Sequence, residues 1–171
     1  MNNSTKTYIN RLICLVLMLA WMTIVFMFSN EPADTSQNTS LNTTERIVDT
    51  FAGNSVSKEE KMLIVEKLDP LVRKLAHFVL YTLGGVLIAN FICTYNFADK
   101  KKLLYSICIG VAYACTDEFH QLFVEGRGAL ITDVLIDSLG IAIGACVFMC
   151  ITKITYILKN HVSIYSNDNK K

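Results

Sequence analysis

The segment Thr116-Asp-Glu-Phe-His-Gln121 crowds two carboxylates, an imidazole and an amide into six residues. His77, Tyr81, Asp133 and Asp137 add another imidazole, a phenol and two more carboxylates, while Arg73, Lys74 and Arg127 bring cations. Residue types of this kind support three chemistries. Arg73, Lys74 and Arg127 would attract a phosphate or carboxylate. His77, Tyr81, His120 and Gln121 would hydrogen-bond a ligand, and Asp117, Glu118 and Asp133 would engage an amine, a hydroxyl or a bound cation. Alternatively, two histidines with four carboxylates could hold a divalent metal or provide an acid/base pair, with Asp117 and His120 at i, i+3 on one helix. The candidates for a catalytic role are then His120, Glu118, Asp117 and His77. No HExxH signature is present, and no obvious Ser or Cys nucleophile adjoins the cluster; Ser138 and Thr132 are the nearest hydroxyls. A metal is therefore not indicated, and no cofactor is expected.

The elements that must carry these residues are apolar. Four blocks stand out: Leu12–Phe28, Leu75–Tyr95, Leu103–Val124 and Leu130–Leu158. The first has no charged residue and approaches the ~17–25 residues that cross a hydrocarbon core about 30 Å thick. Four such blocks predict an all-α polytopic membrane protein, with spans at about 11–28, 72–95, 103–124 and 130–158 and a single domain over 1–171. A buried soluble bundle is the competing reading, and the block lengths disfavour it. No small-x-small cleavage site follows "FMFSNEPAD", so the first block reads as an uncleaved helix rather than a signal peptide.

Basic residues orient the chain. Lys6 and Arg11 precede the first block, Lys100–Lys102 fill the second connection, and Lys153, Lys159, Lys170 and Lys171 lie towards the end. The positive-inside rule places all three groups, and both termini, on the cytoplasmic face of a bacterial membrane. A net charge of +1 leaves no nucleic-acid footprint. The six cysteines lie inside apolar blocks without CxxC spacing and read as small packing residues.

The outer segment 29–71 divides in two. Ser29–Thr44 is rich in Ser, Thr and Asn and reads as loop; Thr44–Asp69 has the spacing of short amphipathic helices, with Ser57 and Glu60 as a capping box. These pieces could lie on the membrane surface, cover a cavity or pack on the bundle. Asp69-Pro70 reads as N-cap and first position of the second span. Arg73 and Lys74 would then sit in its first turn, as phosphate anchors or as an anion-collecting rim.

Depth and rotation converge. At 1.5 Å per residue, His77 lies about 10 Å below Pro70. Asp117–Gln121 and Asp133–Asp137 reach a similar level from helices running out and back in. His77, Tyr81, Gly84 and Ile88 share one face; so do Gly110, Ala114, Asp117 and Gln121, and likewise Asp133, Asp137, Gly140 and Gly144. Each stripe sets polar groups above small residues that permit close helix packing. An acidic side chain near the centre of a membrane helix costs roughly 2.5–3.5 kcal/mol. The group is therefore a self-satisfied cluster that fixes helix register or, as intramembrane ionisable groups more often are, a functional pocket.

"RKLAHFVLYTLGG" (Arg73–Gly85) and "TDEFHQLFVEGRGALITDVLIDSLGIAIG" (Thr116–Gly144) resemble the VanZ-like family of bacterial membrane proteins, whose founding member is associated with low-level teicoplanin resistance. The family pattern falls on Lys74, His77, Tyr81, Asp117, Glu118, His120, Gln121, Arg127, Asp133, Asp137 and Gly140. Glu125 stands where a Pro commonly precedes the Gly-Arg of the turn, and Ala129-Leu130 replaces a small or polar pair. The resemblance implies glycopeptide resistance or a related envelope function without naming a reaction. The expected function is an outer-leaflet pocket for a lipid head group, a lipid-linked cell-wall precursor or a lipoglycopeptide. An intramembrane hydrolase or transferase, metal-dependent or not, is the alternative. A small ion-coupled transporter comes third; it would need an oligomer, because few polar residues continue through the inner half.

Overall fold

The computed structural model describes residues 2–52 and 57–168. Five helices follow one another: α1 (Asn3–Ser29), α2 (Ala33–Ala52), α3 (Lys58–Cys93), α4 (Asp99–Gln121) and α5 (Ile131–Asp168). No strand occurs among the described residues. Three helices, α1, α3 and α5, contain stretches long and apolar enough to cross a membrane. The fourth expected span, α4, has the length but not the composition. Asp99 and Lys100–Lys102 load one end and Asp117, Glu118 and His120 the other.

The outer segment departs most from the sequence reading. Only Asn30–Pro32 is a connection; α2 begins at Ala33 and runs for 20 residues through the rest of the expected loop. Asp69-Pro70 does not start a helix, because α3 is continuous from Lys58 with Pro70 inside it. The capping box sets the true start: Ser57 Oγ accepts from the Glu60 N–H at 3.3 Å, and the Ser57 N–H donates to Glu60 Oε2 at 3.1 Å. Pro70 lacks one amide hydrogen, a loss that tertiary contacts on both sides of it outweigh. Arg73 and Lys74 consequently lie four turns into the helix, and the dipole of α3 does not act on them.

The Asp69 carboxylate, freed from capping, fastens α2 to α3. Its Oδ1 accepts from Ser40 Oγ at 2.5 Å and Thr44 Oγ1 at 3.1 Å, and Arg73 approaches Oδ2 at 3.6 Å. Val48 and Val65 bury the adjoining apolar contact. Further out, Lys61 bridges Glu45 at 2.8 Å and Asp49 at 2.6 Å. At 36 residues α3 is about 54 Å long, enough to cross a ~30 Å core and project from it. Helix α2 packs along its charged N-terminal part.

Helix α3 is the hub, in contact with every other helix and most extensively with α5. Gly85 and Gly144 make that approach possible. A Cβ on Gly144 would collide with the Thr82 carbonyl, and one on Gly85 with that of Ile141. The predicted stripes are buried here: Tyr81, Gly84 and Ile88; Gly110, Ala114, Asp117 and Gln121; Asp137, Gly140 and Gly144. Helix α1 closes one side through Trp21, whose Nε1 donates to the Leu80 carbonyl at 3.0 Å and whose ring meets Tyr81 edge-on at 5.7 Å. Tyr113 O–H donates to the Met22 carbonyl at 2.5 Å. At the opposite end of α1, Arg11 donates to the Thr94 carbonyl and covers the Tyr95 ring. Of the cysteines only Cys14 is buried. Cys108, Cys115, Cys146 and Cys150 are exposed, so the packing role expected for them does not hold.

Candidate functional site

The packed glycine stripes bring the polar ends of α3, α4 and α5 together. Tyr81 O–H donates to Asp117 Oδ2 at 2.9 Å, with both residues buried. One turn outward on α3, His77 Nδ1 lies 3.9 Å from Asp137 Oδ1, ion-pair range but beyond a hydrogen bond. Asp137 is wholly buried (0% exposed), and neither carboxylate oxygen has a hydrogen-bond partner. An uncompensated acceptor pair in a dry site costs several kcal/mol on the order of magnitude seen for buried ions, so this carboxylate calls for a donor.

Other residues singled out in the sequence hold the frame. Glu118 Oε2 accepts from the Leu130 N–H at 2.9 Å, tying the end of α4 to the entry of α5; Oε1 is buried without a partner. His120 turns to α1, its ring 4.7 Å from Phe26 and its Nε2 3.3 Å from Asn30 Oδ1. Asp117 and His120 thus diverge to different neighbours. Gln121 is buried with Nε2 unpartnered. Arg127 donates from Nη2 to the Phe28 carbonyl at 3.2 Å, capping the end of α1. Its turn depends on Gly126, which adopts φ 72° and packs against Ala33. Among the described residues no three His, Cys, Asp or Glu groups are arranged to hold a metal ion.

Two cavities meet at this frame. The smaller, about 310 Å³, lies between α2, α3 and α5 with Lys74, Asp133 and Asp137 in its wall. The larger, about 660 Å³, opens between α1, α2 and α3, with Tyr81, Asp117 and Arg127 among the residues that line it. Arg73 and His77 line both and form the partition between them. Glu118, His120 and Gln121 line neither. Burial and then the nearby Arg73 guanidinium lower the pKa of Arg127 from its ordinary value, opposed by Glu31 and the cluster carboxylates. Both guanidinium groups border the larger cavity.

Residues 14–153 match the family model of VanZ/LLP1. The chain belongs to the VanZ/LLP1 family. Its matched span includes every residue of the polar cluster from Arg73 to Asp137. No curated protein and no solved structure matches it. Family and apolar helices agree that this VanZ/LLP1 protein is a membrane protein.

Several site residues were not singled out by the sequence. Asp69 was assigned to a cap, and Gln37, which lines the smaller cavity, lay in a supposed loop. The hydroxyls Ser36, Ser40 and Thr44 recur every four residues, a helical face that composition alone disguised. Leu75, Val79 and Leu83, an exposed α3 stripe, wall the larger cavity. In a membrane helix such a stripe cannot be told from ordinary lipid-facing surface by sequence.

Proposed function

We propose that this VanZ/LLP1 protein acts at the bacterial envelope, in glycopeptide (teicoplanin-type) resistance or a related function, through a pocket facing the outer leaflet. The pocket binds a lipid head group, a lipid-linked cell-wall precursor or the head of a lipoglycopeptide. Asp137 carries the reading: a wholly buried carboxylate with two unpartnered oxygens at the wall of a cavity that Arg73 and His77 also line. A cluster built only to fix helix register would satisfy its own acceptors, as Tyr81 and Asp117 do. The cations suit a phosphate or carboxylate, and the unpartnered acceptors suit an amine or hydroxyl on the same ligand.

In this reading α4 is the fourth span. Its flanking charges sit at the two membrane interfaces, with Lys100–Lys102 and both termini cytoplasmic and the Arg127 turn outside. The outer position of α2 and the pocket suits a ligand of the envelope. The test replaces Arg73 by Gln and Asp137 by Asn, and measures membrane insertion separately from teicoplanin susceptibility. The expected result is normal insertion with resistance lost in both. Normal insertion with full resistance in both variants would refute the pocket.

A further inference from the structure

We propose that the two cavities together hold one phospholipid whose head group ends in a primary amine. Its phosphate lies between Arg73 and Arg127, its ammonium at Asp137 and Asp133, and one acyl chain along the α3 stripe Leu75, Val79 and Leu83. The inference rests on the pocket described above and specifies its occupant.

The anion follows from two cations on one cavity. Arg73 has a buried Nε without a partner and only a 3.6 Å contact to Asp69, whose Oδ1 two hydroxyls already engage. Arg127 gives Nη2 to a carbonyl, which leaves most of its donors free. A phosphodiester between them relieves like-charge repulsion and can take bidentate bonds from either. Asp117 and Glu31 share this cavity, and Asp117 is already engaged by Tyr81.

The ammonium follows from the other side of the Arg73–His77 partition. His77 approaches only Oδ1 of Asp137, and Oδ2 has nothing. Asp133, in the same wall, meets only the Thr132 hydroxyl. Two carboxylates a helical turn apart favour a cationic donor over a neutral hydroxyl, and a quaternary ammonium has no hydrogen to give. Lys74 also borders this cavity, but it is exposed on a long stem and is free to turn to the phosphate.

The chain follows from the groove. Leu75, Val79 and Leu83 are at least half exposed and line the larger cavity at i, i+4 and i+8, with Val72 above them. From Val72 to Leu83 the helix rises about 16 Å, close to one leaflet of a ~30 Å core. Hydroxyls of Ser36, Thr39, Ser40 and Thr43 on α2 line the polar end, where a glycerol ester would lie.

Native mass spectrometry of the full chain in detergent tests this, with equimolar phosphatidylethanolamine, phosphatidylglycerol, phosphatidylcholine and diacylglycerol of matched chains. The wild type should retain phosphatidylethanolamine about tenfold over phosphatidylcholine, the size of one charge-assisted hydrogen bond. Asp137→Asn should bring phosphatidylethanolamine down to the level of phosphatidylglycerol; if that variant does not fold, the wild-type ranking decides alone. Val79→Trp, on an exposed face, should fill the groove and lower retention of all four. Equal retention of the ethanolamine and choline lipids overturns the amine assignment. The pocket itself stands in that case if Arg73→Gln still lowers the three phospholipids relative to diacylglycerol, and falls with it if not. Unchanged retention of all four lipids by Val79→Trp would overturn the assignment of the groove to a chain.

Discussion

Tyr81 and Asp137 reach the same cluster from facing helices, yet their partners differ. Tyr81 satisfies Asp117 with a 2.9 Å hydrogen bond among wholly buried neighbours, which makes that pair part of the scaffold. Asp137 is equally buried but unsatisfied, which is why the proposed pocket assigns it to the ligand. Removing the phenolic hydroxyl should accordingly act on stability. Tyr81→Phe is expected to cost about 1–3 kcal/mol by leaving Asp117 without its donor, read as a lower thermal midpoint in detergent. The motif located this level of the molecule but could not divide it. In the sequence His120 and Glu118 looked as suitable for a ligand as His77, and only packing showed them turned to Asn30 and Leu130.

At the scale of elements, the apolar helices α1, α3 and α5 were legible because each contains a long apolar block. The glycine and alanine stripes gave their facing sides, as the contact of Gly144 with Thr82 illustrates. What was not legible lay in α2 and the N-terminal part of α3. The Ser, Thr and Asn content of α2 signals loop locally, but the helix is held by bonds reaching 25 and 29 residues along the chain to Asp69. Those bonds are tertiary, and no local rule supplies them. The same omission turned Asp69 into a cap and cut α3 at Pro70. Asp69→Ala should therefore detach α2 while sparing the spans. Hydrogen exchange should show protection lost across Ala33–Ala52 and kept across Leu75–Ile92. Unchanged protection in α2 would mean that Lys61 with Glu45 and Asp49 suffices to hold it.

For the whole molecule, α3 joins two packing units. Its N-terminal part carries α2, and its C-terminal part packs on α1, α4 and α5, so the cavities lie where the α2–α3 hairpin meets the bundle. Polar groups gather at that junction, whereas the bundle beyond it is closed by Trp21, Ile88 and Ile141. Such a site is suited to an amphiphile and poorly suited to a conduit. The most direct test is lipid phosphorus in the purified protein after a delipidating wash, wild type against Arg73→Gln. The account predicts that the wild type retains a phosphorylated lipid and that Arg73→Gln, equally folded, does not. Equal phosphorus in both would contradict it.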